Sequence, residues 1–156
     1  MTTVLDDLPR EPTGGAKRAA AITEVLTFRV GEERFAIDVT TVDEIIELPA
    51  ISPVPAMSPS MLGVCELRGA LLPVYSPAHA LKVPLAAPAA AVVMRVAGRR
   101  LGIAVCAAEG VTEWQSATVG LFGGDGMVLG IAMRDGGLLA LIDARKLAAS
   151  CVGGVA

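Results

Sequence analysis

Two stretches of this chain can be laid on each other without a gap. Leu26 to Val39 (LTFRVGEERFAIDV) covers Val92 to Val105 (VVMRVAGRRLGIAV). Arg29 falls on Arg95, Val30 on Val96, Arg34 on Arg100, Ile37 on Ile103 and Val39 on Val105, and further on Glu47-Leu48 lands on Glu113-Trp114. Each copy is two alternating runs around a tight turn. Leu26, Phe28 and Val30 share a face with Phe35, Ile37 and Val39, while Thr27, Arg29 and Arg34 point the other way. In the second copy Val92, Met94 and Val96 share a face with Leu101, Ile103 and Val105. A period of two marks a strand with one apolar face, and two such runs about a turn mark a β-hairpin. Strands resemble one another in composition, so single matches arise by chance. A common register of the turn and of both apolar faces is harder to obtain that way. Repetition at about 65 residues predicts two similar small barrels in tandem.

The remaining segments supply the other strands. Thr40 to Leu48 reads as a short helix, with a Thr cap, acidic residues in its first turn and Pro49 as its stop. Ile51 to Pro59 carries three prolines and reads as an extended loop. Met61 to Tyr75 is broken by Gly69-Ala70 into two strands, with Pro73 confined to an edge or to a place needing no amide. One helical turn over Pro77 to Lys82 and a Pro/Ala linker over Pro84 to Ala91 follow. After the second hairpin come strands at Gly110 to Trp114, Met127 to Met133 and Leu138 to Ile142, with a hairpin turn at Asp135-Gly136-Gly137. Asp143 caps a last helix, Ala144 to Ala149. Residues 1–21, rich in Pro, Gly, Thr and charge, read as a flexible tail, and 151–156 as a short C-terminal one. The ordered unit is therefore 22–150, with its second barrel beginning near residue 90.

The 156 residues are 53% hydrophobic and 19% charged, enough apolar material for a core and too much for a disordered chain. The net charge is −3, and no run of Lys and Arg is longer than two, as at Arg99-Arg100. A nucleic-acid partner is not expected. No apolar run reaches the 18 or so residues of a membrane span. The opening residues, with Asp6, Asp7 and Glu11, do not read as a signal peptide, so the expected location is cytoplasmic. Cys65, Cys106 and Cys151 are odd in number and widely spaced, which fits free thiols, with Cys65 and Cys106 as small core residues.

Catalysis needs convergent titratable groups. The single histidine, His79, has no acid or Cys at a telling spacing and reads as a surface residue. No metal-ligand cluster is present in the sequence, and no cofactor is expected. The glycine-rich Gly120 to Gly126 lacks the Lys-Ser/Thr of a phosphate loop and reads as a loop of the barrel. Trp114 and Tyr75 are too sparse for base stacking, and Trp114 reads as core or rim. A protein-binding surface remains. Its candidates are the segment with Val42, Ile45 and Ile46 among Asp43, Glu44 and Glu47, and Arg68 beside a glycine turn, a rigid donor for a carboxylate.

These residues carry a resemblance. Phe28 to Val39 followed by Val42-Asp-Glu-Ile45 is similar to the opening of the CheW family of chemotaxis coupling proteins. Gly63-Val-Cys-Glu-Leu-Arg-Gly69 with Leu72-Pro-Val74 resembles that family's "Gly-Val-x-Asn-Leu-Arg-Gly-x-x-x-Pro-Val". Arg100 to Val105, and Leu138 to Asp143 with Lys146-Leu147, resemble its later strand and closing helix. The resemblance covers about residues 22–150. It implies a mainly β fold of two interlocked five-stranded barrels. It also implies a non-enzymatic adaptor that holds a chemoreceptor cytoplasmic tip in the groove between barrels and binds the regulatory domain of a CheA-type histidine kinase. It maps the family's interacting Glu and Arg to Glu44 and Arg68, and receptor-side or nearby positions to Val42, Gly63, Val93 and Gly102; a receptor tip is then expected to set an apolar edge against Val42, Ile45 and Val93. Glu66 stands in place of the motif's Asn, Tyr75-Ser76 follows the Pro-Val strand, and Cys106 occupies an expected Asp. A related module of another signalling complex is the alternative these departures leave open.

Overall fold

The computed structural model describes residues 22–55, 58–114 and 126–153. Residues 1–21 and most of the Gly120 to Gly126 loop lie outside that set. Ten strands run in the order β1 Glu24–Val30, β2 Glu33–Asp38, β3 Val42–Glu47, β4 Met61–Leu67, β5 Ala70–Tyr75, β6 Ala90–Val96, β7 Arg99–Val105, β8 Ala107–Glu113, β9 Val128–Arg134 and β10 Gly137–Ile142. Helix α1 (Ala78–Leu81) follows β5, and α2 (Ala144–Val152) follows β10.

The strands form two five-stranded sheets. A terminal sheet has the order β8-β1-β2-β10-β9, and a middle sheet β3-β6-β7-β5-β4. The two orders are the same list once β1–β5 are matched to β6–β10 and each hairpin is exchanged. The repeat is therefore real, but the sheets are not divided near residue 90: the hairpin of each half pairs with the last three strands of the other. Registers repeat down to their irregularities. Thr27 faces Gly110 as Val93 faces Glu44, with a bulge at Glu109 in one case and Asp43 in the other. β10–β9 and β5–β4 are likewise both bulged, between Leu141/Ile142 and between Met61/Gly63.

Exchange gives each hairpin two buried faces. Leu26, Phe28, Phe35 and Ile37 meet Val92, Met94, Leu101 and Ile103 in one large cluster between the sheets. The opposite faces fill two smaller interiors: Val25, Ala36, Leu139 and Leu141 with Trp114 in the terminal sheet, and Cys65, Leu72, Val74, Val93 and Ala104 in the middle one. The small side chains that dominate the composition suit these narrow interiors.

Four expectations need correction. Among the described residues no backbone ladder joins β8 to β9 or β3 to β4, so the sheets curl without closing into barrels. All four edge strands belong to bulged pairs, and a bulge bends the strand and interrupts the ladder. Side chains span one seam instead: Arg134 on β9 donates to Thr112 Oγ1 (3.2 Å) and to the Glu113 carbonyl (3.0 Å) on β8. Second, Thr40 to Leu48 is not a helix. One 3₁₀ turn, Val39–Thr41, is capped by the Asp38 carboxylate, and the β-branched residues then pair with β6 as β3. Third, the last helix runs through Val152 with Cys151 fully buried, so residues 151 and 152 are not a tail. Fourth, Cys106 is half-buried, not core: its thiol lies 2.9 Å from the Leu85 carbonyl and accepts from the Gly31 N–H at 3.3 Å. Pro73, by contrast, sits where no amide is needed, one residue before the short β5–β7 ladder of Val74–Gly102 and Tyr75–Ile103.

Candidate functional site

β3 is an edge strand whose exposed face alternates Asp43, Ile45 and Glu47, and whose other face holds Val42, Glu44 and Ile46. The hairpin turn Arg68-Gly69 lies at the far edge of the curled sheet. Both turn residues have positive φ, 51° and 83°, which is the twist a two-residue hairpin needs. The turn presents the Arg68 guanidinium, whose Nη2 donates to Glu44 Oε2. Arg100 on β7 reaches the same carboxylate oxygen at 2.7 Å and Asp43 Oδ2 at 3.0 Å. Arg95 on β6 adds a 3.3 Å contact to Asp43. The seam between β3 and β4 is thus bridged by the Arg68–Glu44 pair, which Arg100 supports from β7, with Ile45 43% exposed beside it.

The hydrogen bond from Arg68 holds the Glu44 carboxyl below the ordinary glutamate range. Partial desolvation opposes it, and the charges of Arg68 and Arg100 add to the lowering. Because the folded-state pKa lies below the unfolded one, the stabilisation is complete above the unfolded value and disappears as pH falls through the folded one. The melting-temperature difference between wild type and Glu44→Gln is therefore expected at neutral pH and should close on acidification below the ordinary glutamate range. A pH series of thermal melts measures it, and a gap that widens in acid contradicts the assignment.

The other sequence candidates lie elsewhere. Val42 is half-buried and packs against the inter-sheet cluster. Val93 is fully buried inside the middle sheet and offers no surface to a partner. Gly102 is also interior: a Cβ there would sit 3.4 Å from Leu72 Cδ2. Gly63 is buried where the loop carrying Ser52 crosses β4. Motif position placed these three near the site, but alternation turns their side of the strands inward. Arg95 and Arg100 were missed, as was their pairing with Asp43. Their signal was present in the repeat, where Arg34 and Arg100 coincide, and Arg34 Nε indeed bonds Glu109 at 3.1 Å as Arg100 bonds Asp43. His79 is exposed, as expected. Burial pushes the Cys65 thiol up and the Cys151 thiol up to about 12. Among the described residues no group of three or more His, Cys, Asp or Glu can hold a metal, and no helix is long and apolar enough to cross a membrane.

A pair of five-stranded sheets with exchanged hairpins and an ion-paired seam defines a CheW-type double β-fold. The CheW-like domain family matches residues 24–151, and the chain belongs to it. It is 32% identical over 95 residues to the probable chemotaxis protein CheW of Rhizobium etli, covering 61% of this chain and 61% of that protein. It is 32% identical over 91 residues to the chemotaxis protein CheW of Rhizobium meliloti, covering 56% and 59%. The chain thus matches less than two thirds of the length of these curated relatives. The scaffolding protein TtCheW from Thermoanaerobacter tengcongensis superimposes with a TM-score of 0.69 at 20% identity, covering 81% of this chain and 87% of that one, which establishes the shared fold.

Proposed function

We propose that this chain is a non-catalytic scaffold that couples chemoreceptor cytoplasmic tips to the regulatory domain of a CheA-type histidine kinase in the cytoplasm. Family membership and the names of its relatives support this reading. The observation that carries it is the Glu44–Arg68 pair, held across an open seam beside exposed Ile45. A partner helix laid along β3 meets an apolar side chain flanked by Asp43 and Glu47, with the paired Arg68 fixing orientation. Affinity then rests on a few central contacts, and repetition of weak interfaces builds an array. Signal passes as a shift between partner conformations, with no bond made or broken on this chain.

Arg68→Glu tests it. Arg68 is 64% exposed at its side chain, so the variant should melt within a few degrees of wild type. Its binding to a receptor cytoplasmic fragment should fall roughly ten-fold or more, because a repulsive carboxylate replaces the orienting cation. A well-folded wild type that binds neither a receptor fragment nor a CheA-type kinase removes the reading in favour of a scaffold for another complex.

A further inference from the structure

The two sheets repeat one another, yet their seams are filled differently. In the middle sheet the end of the interior is plugged by Val93, Ile46 and Leu67, and Glu44 lies over it between two arginines. Register gives the equivalent positions in the terminal sheet. Val93 is replaced by Thr27, Ile46 by Thr112 and Leu67 by Arg134, and Glu44 by Gly110. The plug has become polar and the carboxylate has gone. In its place is a cleft of about 450 Å³ bordered by Arg34 and Arg134, by Glu109 and Asp135, and by Thr27, Gly110 and Thr112.

The two arginines there are unevenly paired: Glu109 and Asp135 both lie on the Arg34 side. Arg34, the counterpart of Arg100, keeps the equivalent acid, Glu109, at 3.1 Å. Where Arg100 has Glu44 as its second carboxylate at 2.7 Å, Arg34 has a 3.8 Å contact to Asp135, which is 80% exposed, and its Nη1 donates to the Arg134 carbonyl at 3.2 Å. Arg134 meets a hydroxyl and a carbonyl, Thr112 Oγ1 and the Glu113 oxygen, and among the described residues no carboxylate lies within ion-pair distance of it. Gly110 explains why the chain does not supply the acid. Its φ of +140° is one that L side chains rarely adopt, and a Cβ built on it meets nothing within 4 Å. Glycine thus leaves open a space that Glu44 fills at the equivalent bulge of the middle sheet.

The geometry points to this cleft as a receptor for one acidic side chain, Asp or Glu, of a protein partner, whose carboxylate takes the place that Glu44 holds in the other sheet. Arg34 and Arg134 supply the guanidinium donors, and charge-assisted pairs of this kind are strong and directional. Val111 at its border is 55% exposed, and an apolar neighbour of the acid on the partner would cover it. The site is on the opposite sheet from the Glu44–Arg68 seam, and it stands whether or not the receptor–kinase reading does.

The test uses the whole protein and N-acetyl-glutamate N-methylamide as probe, with the glutamine analogue as control at matched ionic strength. Arginine Nε–Hε cross-peaks in proton–nitrogen spectra are followed through the titration. The glutamate probe should shift Arg34 and Arg134 saturably and leave Arg100, already paired twice, in place. Arg134→Gln should weaken the response roughly ten-fold. The wild-type comparison with Arg100 stands even if that variant folds poorly. Shifts that do not saturate, that follow the glutamine analogue or simple salt equally, or that appear as strongly at Arg100 overturn the proposal.

Discussion

Phe28→Ala should lower stability by about 3–5 kcal/mol, the usual cost of emptying a buried phenylalanine site. Phe28 is 1% exposed and its ring stacks on Phe35 with centroids 5.8 Å apart. The consequence extends further than one sheet. Phe28 belongs to the terminal sheet, but the cluster it fills also contains Met94, Leu101 and Ile103 of the middle sheet. A cavity there removes contacts from both sheets at once. The variant should therefore melt in one transition, roughly 10–20 °C below wild type. Amide exchange should quicken in parallel at Leu101 and Ile103 on β7 and at Leu26 and Ala36 on β1 and β2. Two separated transitions, or faster exchange confined to the terminal sheet, would mean that each sheet is held by its own interior and that the shared cluster is secondary.

That shared cluster was only half legible in the sequence. The alternation of Leu26, Phe28 and Val30 announced a strand with an apolar face, and the second hairpin announced a repeat of it. Neither announces that the two apolar faces meet each other. Strand pairing between residues far apart in sequence leaves no local trace, so the repeat alone reads as a tandem division near residue 90, and only the family resemblance implied that the two barrels interlock. Thr27 looked like an outward position because it is polar. It is 6% exposed, and its hydroxyl donates to the Gly110 carbonyl at 3.2 Å.

β3 was misread for a related reason. Its inward positions are Val42, Glu44 and Ile46, so an acid interrupts the apolar period, while an outward isoleucine, Ile45, lengthens the apparent apolar run. A strand that carries a carboxylate inward and an exposed apolar residue outward breaks the pattern by which strands are recognised. Glu44 and Arg68 themselves came from motif resemblance, and the structure does pair them. The same motif also offered Val93 and Gly102, which burial removes from any direct contact. Motif position identifies a neighbourhood, and the pleat decides which members of it face out.

Gly63 is the second position where a small change should have a large effect. Its φ is +146°, and a Cβ there would sit 2.3 Å from the Ser52 carbonyl oxygen and 2.7 Å from Ile51 Cγ2. The first of these is backbone and cannot rotate away. That backbone is also committed, because Ser52 N donates to the Val64 oxygen at 2.8 Å and Val64 N donates back at 3.0 Å. This pair covers the free edge of β4, which would otherwise present unpaired amides. Gly63→Ala combines backbone strain with overpacking, each worth about 1–3 kcal/mol, so a loss of roughly 2–6 kcal/mol is expected. Gly69→Ala is the matched control: its φ of +83° is also positive, but nothing lies within 4 Å of the added carbon. Strain alone should cost about 1 kcal/mol there. Denaturant melts of the two variants separate the terms, and amide exchange at Ser52 and Val64 should rise only in Gly63→Ala. Equal losses in both would remove close approach as the reason for glycine at 63. If the larger loss is seen, any drop in partner binding by a Gly63 variant is a consequence of the displaced loop, and the proposed contact surface narrows to Glu44, Ile45 and Arg68.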